Sequence, residues 1–254
     1  CDNTTGRDNT AVGALSGRGN ANKSYRVSIG YATQASGSGD VAVGYNAGFS
    51  SARNVTASTN GGENINIGQQ SGSEQNADIT KCNNVFIGAH TARGQSSNTK
   101  FVLTSNIGIG YEAMRKAGNN VEDVTVNSNI EIGAQALCFV SGIENISIGA
   151  LSTRSLCAGN QNISIGGCSS LCLSNKNKNL AIGSNANRQL NANCNIAIGD
   201  SALYGGANCT GSHNIAIGLC AIRELTTGQF NIGVGCSALR SNTTGANNTV
   251  VGNI

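Results

Sequence analysis

Fourteen times along the chain, two aliphatic or β-branched residues bracket one spacer and run directly into a glycine, as in Asn195-Ile196-Ala197-Ile198-Gly199. The closing glycines are Gly13, Gly30, Gly44, Gly68, Gly88, Gly110, Gly133, Gly149, Gly166, Gly183, Gly199, Gly218, Gly235 and Gly252. Their spacings are 17, 14, 24, 20, 22, 23, 16, 17, 17, 16, 19, 17 and 17, so the mean unit is about 18 residues. Ile or Val stands directly before each glycine, and two residues earlier comes a second β-branched residue or Leu. Three residues after each of the first thirteen glycines stands only Ala, Ser or Thr, from Ser16 and Thr33 through Ala221 and Ala238.

A fixed period in this range is the mark of a solenoid, in which one unit cannot bury its own apolar stripe and stacking supplies the core. Successive strand side chains point to opposite faces, so the two branched residues of each unit share one face of a short strand. The glycine lets the chain turn with positive φ or pass close to a neighbouring backbone. Stacked at strand spacing, fourteen coils would measure roughly 65 Å. An α-helical repeat is excluded by the lack of helical periodicity and by Gly and Asn in every unit.

With the branched stripe expected to fill the coil, the spacer is expected to face outward. Reading Ala11, Ser28, Ala42, Asn66, Phe86, Gly108, Glu131, Ser147, Ser164, Ala181, Ala197, Ala216, Gly233 and Val250, it is small in ten of fourteen cases, whereas a free strand surface favours Thr, Lys or Glu. Either another backbone lies against it, or a narrow roll selects small residues on both faces.

Composition fits a thin roll. Trp and Pro are absent, aromatic residues are 4% and charged residues 11% of the 254, so a core of large side chains is not expected. The net charge is +3, with no basic run, which argues against nucleic acid as a partner. No stretch approaches 18 apolar residues and no signal peptide is visible, so no membrane insertion is expected in this segment. Cys1 opens the chain inside one repeat and Ile254 ends it inside another, which predicts a piece of a longer polypeptide. The whole of 1–254 reads as one repeat domain, with regular coils over 1–44 and 133–254 and long-loop coils over 45–132.

The Asn-Ile-Ala-Ile-Gly-x-x-Ala unit resembles the head repeats of YadA-like trimeric autotransporter adhesins. Asn242-Thr243-Thr244-Gly245-Ala246-Asn247-Asn248-Thr249-Val250-Val251-Gly252 and Asn3-Thr4-Thr5-Gly6-Arg7-Asp8-Asn9-Thr10-Ala11-Val12-Gly13 resemble the repeats of phage and large-virus tail-fibre proteins. Together the likenesses span essentially the whole chain. They imply an all-β, left-handed parallel β-roll or β-solenoid of about fourteen short coils, a homotrimer that projects from a virion or cell surface. The implied function is attachment to a host glycan or protein receptor; the alternative is a shaft whose repeats only supply length. Most coils here exceed the adhesin repeat, and the chain is richer in cysteine than that pattern.

No constellation calls for catalysis or a cofactor, and the expectation is a non-enzymatic protein without a metal. The ten cysteines include no C-x-x-C pair, and with only His90 and His213 available a zinc site has little support. Several stand where other repeats carry Ala, Ser or Asn and read as small packing residues, although bridges between adjacent coils stay open. A thiol-rich chain suits assembly in a reducing cytosol better than passage through a periplasm, which favours the viral reading. The acids are scattered; glycan cleavage needs convergent carboxylates, and whether Glu131 and Asp123 meet is open. Asn64, Asn84, Asn106, Asn129, Asn145, Asn162, Asn195 and Asn214 open their strands and predict a stacked amide ladder. N-x-S/T acceptor sequences at Asn145, Asn162, Asn208 and Asn242 are the weaker reading.

The four spacings between Gly44 and Gly133 exceed 17 by 7, 3, 5 and 6 residues. The surplus, Ser50 to Gly62, Ser73 to Cys82, Gln95 to Leu103 and Lys116 to Val126, falls at one point of the coil and must emerge on one side of the stack. Arg53, Asn60, Lys100, Lys116, Asn119, Asn120 and Asp123 on these segments are the candidate ligand-binding residues.

Overall fold

The computed structural model describes residues 6–17, 22–35, 37–49, 60–73, 79–93, 101–115, 124–136, 142–153, 159–170, 176–189, 191–205 and 209–253. Among them there are strands and turns and no helix, and every strand pairing is parallel: the protein is a β-solenoid. The chain divides into two compact units, Cys1–Asn129 and Ile130–Ile254.

In the first unit, β1 (Thr10–Val12), β2 (Val27–Ile29) and β3 (Val41–Val43) precede β4 (Asn60–Gly62), β5 (Ile65–Ile67) and β6 (Ile79–Cys82). Then come β7 (Val85–Ile87), β8 (Phe101–Thr104), β9 (Ile107–Ile109) and β10 (Val124–Asn127). The repeat strands form one ladder, β1-β2-β3-β5-β7-β9, and the others a second, β4-β6-β8-β10. The second ladder comes from the surplus of the long coils, so part of what the sequence reads as loops is a second strand per coil. Its register sets Leu103 opposite Val126, both 2% exposed.

In the second unit, β11 (Ile130–Ile132), the two-residue β12 (Gly142–Ile143), β13 (Ile146–Ile148), β14 (Ile163–Ile165) and β15 (Leu180–Ile182) come first. β16 (Ile196–Ile198), β17 (Ile215–Ile217), β18 (Ile232–Val234) and β19 (Thr249–Val251) follow. The repeat strands are stacked in chain order, β11-β13-β14-β15-β16-β17-β18-β19. Coils of 17, 16 and 19 residues keep one register, with Leu180 facing Ile196 and Ile196 facing Ile215.

Strand length is set by left-handed residues at both ends. Before β16 stands Cys194 with φ 57°, and after it Gly199 with φ 130°. Gly199 also stands close under the next coil: a Cβ there would meet the Gly218 carbonyl oxygen at 2.5 Å. Inter-coil hydrogen bonds continue past the strand. Ser201 N donates to Ser184 O at 2.9 Å, Leu203 N to Ala221 O at 3.0 Å, and Gly205 N to Arg223 O at 3.0 Å. Proline, with φ near −65° and no N–H, fits neither requirement and is absent from the chain.

The structure reverses the expected facing of the strands. The spacers point into the coil: Ala42, Phe86, Glu131, Ser147, Ser164, Ala181, Ala197 and Ala216 are all buried, while the flanking branched residues are half-buried or exposed. The reason is width. The interior is about one side chain deep and shared by the spacer, the small residue three after the glycine and the residue after that. In the second unit Ala197, Ala202 and Leu203 fill one coil and Ala216, Ala221 and Ile222 the next, all without solvent exposure. Sizes compensate locally. A Cβ on Gly233 would lie 2.8 Å from Ile222 Cγ1, and in the first unit one on Gly108 would lie 3.2 Å from Met114 Sδ. Small spacers therefore report the narrow lumen, not an adjoining backbone.

The asparagine ladder forms as expected. Asn162 donates its backbone N–H and its Nδ2 to Asn145 Oδ1 at 3.0 and 3.1 Å, and Nδ2 also to Lys176 O at 2.8 Å. The same bonds join Asn179 to Asn162, Asn214 to Asn195, Asn231 to Asn214 and Asn248 to Asn231. In the first unit, Arg26 and Asp40 take two successive rungs. Arg26 Nε donates to Asn9 Oδ1 at 3.1 Å, while Asp40 Oδ1 accepts the N–H and Nδ2 of Asn64 at 2.8 and 3.0 Å. Burial lowers the Arg26 pKa and the Asp40 carboxylate opposes that shift. Asn145 and Asn162 are each 1% exposed with their amides engaged, so neither can accept a glycan in the folded chain.

Glu131 breaks the interior pattern. Its carboxyl is fully buried opposite Ser147, neither oxygen has a hydrogen-bond partner, and burial alone pushes its pKa well above the usual carboxylate range. A folded acid that holds its proton at a pH where the unfolded chain, near pKa 4.3, releases it loses stability as pH rises above that value. The stability of the wild type should therefore fall as pH rises above about 4.3, with a slope of up to about 1.4 kcal/mol per pH unit from this group. Glu131→Gln should remove that slope and melt higher at pH 8 than the wild type, with the gap closing at pH 4; parallel melting profiles for the two proteins would contradict the assignment. Gly199→Ala joins positive-φ strain to the carbonyl clash and should destabilise by at least about 2 kcal/mol in urea unfolding. Gly167→Ala, whose new Cβ finds its nearest neighbour at 4.0 Å, should stay within about 1 kcal/mol of the wild type.

Candidate binding surfaces

Turning the branched residues outward leaves an apolar row on each unit. Ile29 and Ile67 in the first unit and Ile132, Ile182 and Ile217 in the second keep 36–38% of their surface exposed. Their strand partners Val27, Ile65, Ile130, Leu180 and Ile215 are half-buried on the same face. In-register pairing puts identical or near-identical side chains one above another, such as Ile148, Ile165, Ile182 and Ile198. Such a surface is uniform, apolar and able to pack against a copy of itself. It offers no chemistry for a soluble substrate.

Round the corner from this face, in the first unit, lies a pocket of about 290 Å³ walled by Leu15, Tyr31, Thr33, Gln34, Tyr45 and Phe49. Tyr31 and Tyr45 each follow a coil-closing glycine, so the stack brings their rings parallel, centroids 5.5 Å apart and planes 7° apart, both rings half exposed. The lining carries no charge, so it suits a neutral ring rather than an ion. In the second unit His213 and Phe230, on adjacent coils at the position before the ladder asparagine, stack at 5.0 Å. Equal offsets to the repeat betray both pairs, but only once the units are superposed.

Of the residues singled out for ligand binding, Arg53, Lys100, Lys116, Asn119, Asn120 and Asp123 lie outside the described residues. Asn60 opens β4. Glu131 is sealed inside its coil, which removes it from any carboxylate pair acting on an external substrate. Among the described residues no group of three or more His, Cys, Asp or Glu is placed to hold a metal ion. No helix of the described residues is long and apolar enough to cross a membrane.

Cys82, Cys168, Cys194, Cys220 and Cys236 are free thiols, and Cys209 is buried in the interior. Alkylation of native protein without reductant should modify the exposed Cys236 fastest and spare Cys209, read by peptide mass spectrometry. Stoichiometric disulfides among these six would contradict it. A scan against protein-family models, a search of curated proteins and a search of solved structures each found no match to this chain.

Proposed function

We propose that the chain is the head of a non-enzymatic, homotrimeric surface fibre that attaches to a host cell or surface. The observation that carries the reading is the outward row of Ile and Val on the repeat strands of each unit. Monomeric proteins rarely expose apolar surface in contiguous strips, and a strip made by in-register repetition is self-complementary by construction. A cyclic arrangement of three copies would turn every row toward a common axis and leave no row uncovered. Resemblance of the Asn-Ile-Ala-Ile-Gly units to adhesin and tail-fibre repeats supports three as the number, and a setting outside the cell, on a virion or cell surface. Attachment to a glycan or protein receptor would then fall to the turns and long coils that stay outside the axis. The uniform coils of 133–254 favour a second role for that part, as a spacer that sets reach.

Light scattering at micromolar concentration should give three times the 25.7 kDa chain mass. Ile165→Lys with Ile198→Lys, on the outward row, should yield folded monomers with unchanged β-sheet circular dichroism. Ala197→Leu, one residue from Ile198 but pointing inward, should instead destabilise the coil by about 1–3 kcal/mol without selective loss of the trimer. A stable wild-type monomer would overturn the trimer, and failure of the fluorescent wild-type protein to adhere to any cell or glycan surface in a broad screen would overturn attachment.

A further inference from the structure

Seven of the ten arginines occupy one position of the repeat. Arg18, Arg93, Arg115 and Arg154, then Arg188, Arg223 and Arg240, each stand five residues after a coil-closing glycine, and none of the thirteen such positions holds an acid. Dispersed along the sequence, they never form a basic run; within the second unit, folding at a fixed period aligns Arg188, Arg223 and Arg240. Arg18 and Arg154 lie outside the described residues.

In the second unit the column can be followed through four consecutive coils. Gln189 N bonds to Tyr204 O, Gly205 N to Arg223 O, and Glu224 N to Arg240 O, at 2.9, 3.0 and 2.9 Å. Those bonds set Arg188, Tyr204, Arg223 and Arg240 one above another, with coil spacing of about 4.8 Å. The Tyr204 ring lies between two guanidinium groups, 5.6 Å from that of Arg188 and 5.7 Å from that of Arg223. Arg188 Nη1 donates to Tyr204 Oη at 3.1 Å, which fixes the lower group. The one acid beside the column, Glu224, reaches Arg240 only at 4.0 Å, with both side chains about half exposed, a pairing that neutralises little. In the first unit Arg93 and Arg115 hold the same repeat position on neighbouring coils. There Arg115 pairs with Glu112, and His90, its pKa lowered first by burial and then by Arg93, adds no charge at neutral pH.

Guanidinium groups held about one and two coils apart lie within a Debye length of one another and repel. Their alignment is explained by an anionic partner with charges repeated along the coil axis. We propose that this column binds an acidic polysaccharide laid along the stack, its sulfate or carboxylate groups received by the planar forks of Arg188, Arg223 and Arg240. Arginine rather than lysine suits such oxyanions because its donors are bidentate and pre-organised, and Tyr204 supplies a flat face for a sugar ring between two charges. Charge complementarity favours a glycan over nucleic acid: a single-file column on a chain of net charge +3 and pI about 8.4 lacks the broad basic face that a duplex requires. The proposal deepens the attachment reading by naming a ligand class, and rests on it only for the surface setting.

The test immobilises heparin, hyaluronate, uncharged dextran and duplex DNA, with phosphatidylserine vesicles in a parallel arm, and passes the full chain over each. Wild type should bind heparin and then hyaluronate, weakening steeply with salt, and ignore dextran. Arg188→Gln/Arg223→Gln/Arg240→Gln should lose at least tenfold in affinity at unchanged melting temperature. Arg223→Gln/Arg240→Gln, which leaves the Arg188–Tyr204 bond in place, guards against misfolding and should lose affinity in the same direction. Equal heparin binding by wild type and these variants overturns the proposal, as does absence of binding to either polyanion or tighter binding to DNA or vesicles. Cell adhesion separates the two claims. A triple variant that adheres like wild type removes the column from attachment while attachment stands; wild type that binds heparin and adheres to no cell leaves the column standing and attachment refuted.

Discussion

The width of the coil interior governs the rest of this structure. Each turn encloses space for one modest side chain from the strand and one or two from the turn. Ala197 therefore sits with Leu203, Ala216 with Ile222, and Gly108 with Met114. Once the lumen is that narrow, the bulky member of every strand pair has to stand outside. An outward row of Ile and Val is a by-product of packing inside each coil, and it is this row that the proposed trimer would cover.

Backbone hydrogen bonding and the asparagine ladder hold the narrow coil in register where hydrophobic burial cannot. Alanine and serine interiors remove little apolar area per coil, so apolar burial adds little to the register beyond keeping isoleucine out of the lumen. Asn162 and its counterparts supply that precision, because each amide oxygen takes two donors from the following coil, and a slip would leave buried polar groups unpaired. Glu131 is an exception in the same interior, a carboxyl without a partner.

Much of this architecture is legible in the amino-acid sequence. Ile196 and Ile198 around Ala197 mark the strand, Gly199 its end, and Asn195 the ladder. The facing of the strand is not legible, since alternation says that Ile196 and Ile198 share a face but not which face is inside; lumen width decides it, and width depends on the turn residues Ala202 and Leu203 across the coil. The second ladder hides in surplus length that reads as loop, although Phe101-Val102-Leu103-Thr104 and Val124-Thr125-Val126-Asn127 carry alternating β-formers. Tyr31 with Tyr45, and Arg188 with Arg223, escape a linear reading for another reason: charge and aromaticity weighed along the sequence miss residues that the fold brings together one period apart.

The ladder has a direction. Each asparagine rung offers its Oδ1 to the N–H and Nδ2 of the coil that follows and turns its own N–H and Nδ2 back to the oxygen of the coil before, so the two sides of a coil are chemically different. Arg26 and Asp40 exploit this asymmetry: the guanidinium, which can only donate, reaches back to Asn9 Oδ1, and the carboxylate, which can only accept, receives Asn64. With the two exchanged, a carboxylate would face the Asn9 oxygen and a guanidinium would face the amide donors of Asn64. Charges can thus enter the buried column only as an ordered pair, cation first along the chain, and a coil duplicated or transplanted elsewhere in the array keeps its fit only if it preserves that polarity.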